Sequence, residues 1–130
     1  MPSLQDIQDA FSLMESWEDK YQYLIELGEA NPPFPEQQRI DSNKVDGCMS
    51  QVWLYCEKQG NTYHLFADSD ALIVKGLIAI VLAAYDNKTA QEIKNVPIED
   101  IFQSLGLENN LSPTRRNGFF ALVGKIQALQ

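Results

Sequence analysis

Between Ala71 and Tyr85 the chain carries a single charge, on Lys75, among small, aliphatic and aromatic residues. A helix that is apolar nearly all round has no face to offer water, so this stretch demands a central place packed on both sides. It is too short to cross a bilayer, which takes about 20 apolar residues, and Lys75 and Gly76 interrupt it. Just before it lie two strand-like runs, 49–57 and 62–68, rich in β-branched and aromatic residues and joined by the turn-forming Gln59-Gly60-Asn61. The spacing leaves open whether that turn holds two or three residues, and with it which side chains share a face. Ser69 or Asp70 is placed to cap the helix that follows.

Helical patterns flank this hairpin and helix. Ser3 can cap a helix whose apolar positions Leu4, Ile7, Phe11 and Met14 fall on one face, and after Ser16 the pattern repeats in Trp17, Tyr21, Leu24 and Ile25 until Gly28, a suitable helix stop. Three prolines in Asn31-Pro-Pro-Phe-Pro35 end helical structure and predict an extended path towards residue 48. Asp86-Asn87 ends the central helix. Thr89-Ala-Gln-Glu92 is a capping-box pattern, Pro97 opens a short helix ending near Gly106, and Ser112-Pro113 supplies a cap and a first-turn proline for a last helix with Phe119, Phe120, Leu122, Val123 and Ile126. Helices, then strands, then helices predict a two-layer α+β fold, an antiparallel sheet covered on one face by helices. With 130 residues and no shift in composition, residues 1–130 are expected to form one domain.

Eighteen Asp and Glu against ten Lys and Arg give a formal net charge of −8. That is the wrong sign for binding a phosphate backbone or an anionic membrane, so nucleic acid and membrane are excluded as expected partners in favour of a protein or small molecule. The N-terminal Met-Pro-Ser-Leu-Gln-Asp lacks the basic start and apolar core of a signal peptide, and a reducing cytoplasm with free thiols is the expectation.

Cys48 stands in Val45-Asp-Gly-Cys-Met-Ser-Gln-Val-Trp53, after polar, turn-prone residues and before a strand-like run, at a loop-to-strand junction where a thiol can reach a partner. Position alone leaves two readings open, a reactive thiol or a small apolar side chain filling a turn, because no activating neighbour is evident. Cys56 alternates with Val52 and Leu54 and reads as a buried cysteine. Eight residues of extended strand separate the two sulfurs by roughly 25 Å, against the 7 Å or so that a disulfide tolerates between Cα atoms. Two cysteines and the lone His64 make a poor metal site, since zinc and iron–sulfur clusters normally take four ligands. A Cys48–His64 dyad would suit thiol hydrolysis, although nothing in the spacing requires it. Arg115 and Arg116 fall in the first turn of the last helix, where the helix dipole disfavours cations. They reach either towards nearby carboxylates or towards an anionic partner or reacting sulfur. Asp68 and Asp70 read as helix-start residues rather than catalytic acids.

Four segments in order resemble the SufE family, the small partners of cysteine desulfurases in iron–sulfur cluster assembly. Trp17-Glu-Asp-Lys-Tyr-Gln-Tyr-Leu-Ile-Glu-Leu-Gly28 is similar to the family's second helix, and Asn43-Lys-Val-Asp-Gly-Cys-Met-Ser-Gln-Val-Trp53 to its sulfur-acceptor loop. Asp68-Ser-Asp-Ala-Leu-Ile-Val-Lys-Gly-Leu77 resembles the start of its central helix, and Leu111-Ser-Pro-Thr-Arg-Arg-Asn-Gly118 its final helix. The resemblance implies a SufE/NifU-like two-layer fold, with Cys48 as the sulfur acceptor and Arg115 as the helix-start arginine, Arg116 beside it. It also implies partner-binding or site-supporting places for Gly47, Ser50, Asp70 and Lys75, with Gly47 as a hinge. Lys44 stands where many members have arginine, which alters any contact that needs a forked guanidinium. The implied partners are a cysteine desulfurase and a downstream iron–sulfur scaffold or other sulfur acceptor. Pyridoxal phosphate would belong to the desulfurase, with no cofactor or metal on this chain. Three alternatives remain, a non-catalytic desulfurase regulator that does not need Cys48, a cluster-scaffold binding protein, and a thiol hydrolase that would need His64.

Overall fold

A computed structural model of the chain describes residues 2–47 and 50–129. Cys48, and Met49 with which the first strand was expected to begin, lie outside the described residues. The first helix, α1 (Leu4–Ser12), opens with a reciprocal box in which the Ser3 hydroxyl accepts from the Asp6 amide and the Asp6 carboxylate accepts from the Ser3 amide. Ser16 caps α2 (Trp17–Glu29) by accepting from the Asp19 amide.

Gly28 does not end α2; it lies inside the helix, buried against α3 (Leu72–Tyr85). A Cβ on Gly28 would stand 2.7 Å from the Gly76 nitrogen, and one on Gly76 would collide with the Leu24 carbonyl oxygen. The two glycines therefore let the helix backbones cross at a distance no other residue permits. Asn31, just beyond α2, donates from its side chain to the Lys75 carbonyl and ties the same crossing.

The hairpin pairs β1 (Val52–Gln59) with β2 (Thr62–Ser69) from Val52–Ser69 to Gln59–Thr62, so its loop holds two residues, Gly60 and Asn61. Gly60 takes φ +65° at the first loop position, where a type II′ turn places glycine. This register turns Val52, Leu54 and Cys56, with Leu65, Ala67 and Ser69, towards the helices. Trp53, Tyr55, Phe66 and Asp68 face outward. A two-residue β3 (Lys88–Thr89), too short to carry a sequence pattern, pairs with the other edge of β2. The sheet is antiparallel in the order β1-β2-β3.

Neither Ser69 nor Asp70 caps α3, whose N-cap is Ala71 with no side-chain bond. Ser69 ends β2 and accepts from the Ala71 amide, while Asp70 is drawn back to the strand by Gln51. The interior of α3 is as apolar as its sequence demands: Ile78, Ile80, Val81 and Tyr85 are fully buried, and the helix packs on β2, α1, α2 and α6 (Pro113–Gln127). Thr89 and Glu92 form the capping box of α4 (Ala90–Lys94), and α5 (Ile98–Ser104) runs from Pro97 to a turn at Gly106. The stretch after the prolines is not simply extended. It winds into two single 3-10 turns, Glu36–Gln38 and Asp41–Asn43, tied by the Asn43 side-chain amide, which donates to the Gln38 carbonyl.

Gly76→Ala should cost about 3 kcal/mol or prevent folding, because backbone rather than a flexible side chain must move to admit the methyl. Gly124→Ala, at an exposed position of α6 with open space around it, should be neutral or stabilise by about 0.5–1 kcal/mol. Denaturant unfolding of the two variants checks the contrast.

Candidate functional site

Gly47 and Ser50, which bracket Cys48 and Met49, arrive at the same end of the sheet by separate anchors. On the entering side the Val45 amide donates to the Val52 carbonyl at 2.8 Å, and Lys44 forms an antiparallel bridge with Trp53. Gly47 then adopts φ +90°, a left-handed backbone that favours glycine, with Ala121 of α6 3.6 Å from where a Cβ would be. On the leaving side the Gln51 amide donates to the Asp70 carboxylate at 3.0 Å, and the Asp70 amide donates to the Gln51 carbonyl. Asp70 thus extends the hairpin ladder one step past β2.

Beside these anchors lies a cavity of about 270 Å³. Val52, Val74, Leu77, Ile78, Phe119 and Leu122 give it apolar walls from β1, α3 and α6, and Ser50, Ser112, Thr114 and Arg115 add polar groups. The first turn of α6 delivers Arg115: Ser112 caps the helix by accepting from the Arg115 amide, while the exposed side chain lines the cavity. Among the described residues the Arg115 guanidinium joins no ion pair. A cation without a carboxylate, next to an apolar chamber, can stabilise a soft or diffuse anion that water would otherwise solvate.

The model of the SufE family, an Fe-S metabolism associated domain, matches residues 5–130. The chain belongs to the SufE family. It is 46% identical over 131 residues to an uncharacterized SufE-like protein of Rhizobium etli, covering 98% of this chain and 88% of the relative. It is 43% identical over 132 residues to another of Rhizobium meliloti, covering 98% and 94%. The solution structure of a hypothetical protein from Thermus thermophilus shares the fold with a TM-score of 0.76 at 21% identity, over 96% of this chain and 90% of that one. Membership of the SufE family places the chain in iron–sulfur metabolism.

Of the residues that the family resemblance singled out, Gly47, Ser50, Asp70 and Arg115 converge on this end of the sheet. Cys48, the acceptor candidate, lies outside the described residues. Lys75 and Arg116 are elsewhere: Lys75 packs at the crossing with Gly28, and Arg116 donates to the Glu108 carbonyl on the other side of α6. Asp68 is not a helix-start residue; it sits on the outer sheet face, 2.9 Å from Arg39. His64 lies towards the hairpin turn, opposite Glu57, where its Nδ1 is 3.1 Å from the Asp86 carboxylate and its ring meets Phe66 edge-on. It belongs to the outer half of the sheet, away from the cavity. Cys56 is half-buried with a free thiol, and desolvation pushes it up to about 11 from an ordinary 9.0. No three His, Cys, Asp or Glu side chains gather into a metal site among the described residues, and none of their helices is long and apolar enough to cross a membrane.

Next to the site, on the outer face of the sheet, lies a residue that the sequence does not single out. Arg39 sits with its guanidinium 4.8 Å from the Trp53 ring and 5.2 Å from the Phe34 ring. Only the basic residue amid acidic and polar neighbours in Pro35-Glu-Gln-Gln-Arg39 offered a signal, and it does not name a partner on a distant strand.

Cys56 should stay unreactive towards alkylating reagents at pH 8, at about one-hundredth the thiolate fraction of an ordinary thiol. The folded state keeps this proton while the unfolded chain releases it near 9.0, so the stabilisation is complete below pH 9 and is lost as the pH rises towards 11. Peptide-mapped alkylation at pH 8, and unfolding compared between about pH 8 and pH 10.5, check both statements.

Proposed function

We propose that this protein takes sulfane sulfur from a pyridoxal-phosphate cysteine desulfurase onto Cys48 and passes it to iron–sulfur cluster assembly, stimulating the desulfurase as it does so. The observation that carries this reading is that both flanks of Cys48 are anchored beside an apolar cavity edged by Arg115, which has no carboxylate partner among the described residues. Family membership in iron–sulfur metabolism supports it.

The Cys48 thiolate attacks the outer sulfur of the desulfurase persulfide, forming a new S–S bond as the old one breaks. The desulfurase cysteine leaves as a thiolate, and no net oxidation or reduction occurs. The product is a persulfide on Cys48, an anion for which Arg115 offers a counter-charge and the apolar walls offer shelter from reductants in water. Pyridoxal phosphate belongs to the desulfurase and does its chemistry there. The acidic surface of this chain, at net charge −8, favours partners that present basic docking faces. A cluster scaffold is the weaker alternative: apart from Cys48 the chain holds only Cys56, which burial keeps protonated and hence a poor ligand. A regulator that merely activates its desulfurase would share the interface and not need the thiol.

After incubation with a desulfurase and cysteine, intact mass should rise by one sulfur atom, reversibly with reductant and mapped to Cys48. Cys48→Ser should abolish that gain and the stimulation while leaving the fold intact. A Cys48→Ser protein that still stimulates turnover with no thiol reductant present would establish the regulator instead. Arg115→Ala should slow transfer about tenfold with unchanged thermal unfolding, because the helix cap uses the backbone of residue 115 and alanine suits a helix. Single-turnover transfer kinetics beside a melting curve measure it.

A further inference from the structure

We infer that Arg39 is a positioning residue for the acceptor loop, clamping segment 34–44 to the outer face of the hairpin so that the entering end of the loop is held in place. Its guanidinium lies over both the Phe34 and Trp53 rings, takes the Asp68 carboxylate at 2.9 Å and donates to both Glu36 oxygens at 3.0 Å. Trp53 and Asp68 are register partners, one step from Val52–Ser69, where the loop joins the sheet. One planar cation therefore grips both strands of the hairpin at the rung beneath the loop.

Two further observations give the clamp its purpose. Trp53 is buried on the face opposite the core, 7% exposed, and its indole N–H has no hydrogen-bond partner among the described residues. Burying that donor unpaired is unfavourable, and the contact seen on the ring among the described residues is the Arg39 guanidinium over its face. The backbone of Trp53 in turn bridges Lys44, and the neighbouring Val52 carbonyl receives the Val45 amide, two residues before Gly47. Arg39 thus acts on the loop through Trp53, by a route separate from Arg115.

The consequence for sulfur transfer rests on the acceptor reading above, whereas the clamp does not. In the full chain, Arg39→Ala should speed hydrogen exchange of the Val45 amide about tenfold while the Leu65 amide, held by Asp86, stays as in wild type. It should also shift peptide-mapped alkylation of Cys48 about fivefold and lower the sulfur-transfer rate at saturating desulfurase. Arg39→Lys, which keeps the charge and loses the flat stack, should fall between the two. Should Arg39→Ala fail to fold, Asp68→Asn carries the test, with a smaller change in the same direction. Wild-type Val45 exchange and Cys48 alkylation in a folded Arg39→Ala protein would overturn the clamp. A wild-type protein that gains no sulfur from any desulfurase would overturn the acceptor reading instead, and the exchange and alkylation results would still decide the clamp.

Discussion

The close crossing of α2 and α3 is the contact on which the rest of the architecture depends. A helix with almost no polar face is stable only if every side is covered, and α3 is covered by the sheet on one side and by α1, α2 and α6 on the others. Covering it from the α2 side requires two backbones to approach within van der Waals contact, and Gly28 and Gly76 are the residues that allow this. The Asn31 bond to the Lys75 carbonyl then fixes where α2 gives way to the proline segment. From there the chain is delivered across the outer face of the sheet towards Gly47.

The site is an end-of-elements construction. It lies where β1 begins, β2 ends and α6 starts, and each element contributes through its terminus: Val52 by its carbonyl, Asp70 by extending the ladder, Arg115 by standing three residues after a cap. The cavity walls come from the same apolar residues that build the core. Among the described residues the exposed Arg115 guanidinium has no carboxylate partner, so its charge is left facing the cavity mouth and solvent. The dipole of α6 adds to the local positive potential.

The two faces of the sheet do different things. Its inner face, Val52, Leu54, Leu65 and Ala67, is conventional core. Among the described residues its outer face carries no α-helix, and the segment with the two 3-10 turns brings Arg39 over Trp53. Tyr55 stacks on Phe66 and Phe66 meets His64 further along the same face. The pairing of His64 with Asp86 belongs to this face as well, and it gives the lone histidine a structural partner at the edge of β2.

Local pattern sufficed wherever the physics is local. The helix caps at Ser3, Thr89 and Ser112, the restart of the helical pattern after Ser16, the hairpin at Gly60, the buried central helix and the α+β class all follow from spacing within a few residues, because capping, turn chemistry and periodicity are short-range. The likeness of four ordered segments to the SufE family was equally legible, as was the candidate role of Cys48. Tertiary structure decided the matters in which two distant segments compete for one residue. Gly28 reads as a helix stop until α3 needs its missing side chain, and Ser69 and Asp70 read as caps until the hairpin claims them. Arg39 is not singled out in the sequence, and the fold brings Phe34, Trp53 and Asp68 to it. In each case contacts between residues far apart in the chain decide the outcome.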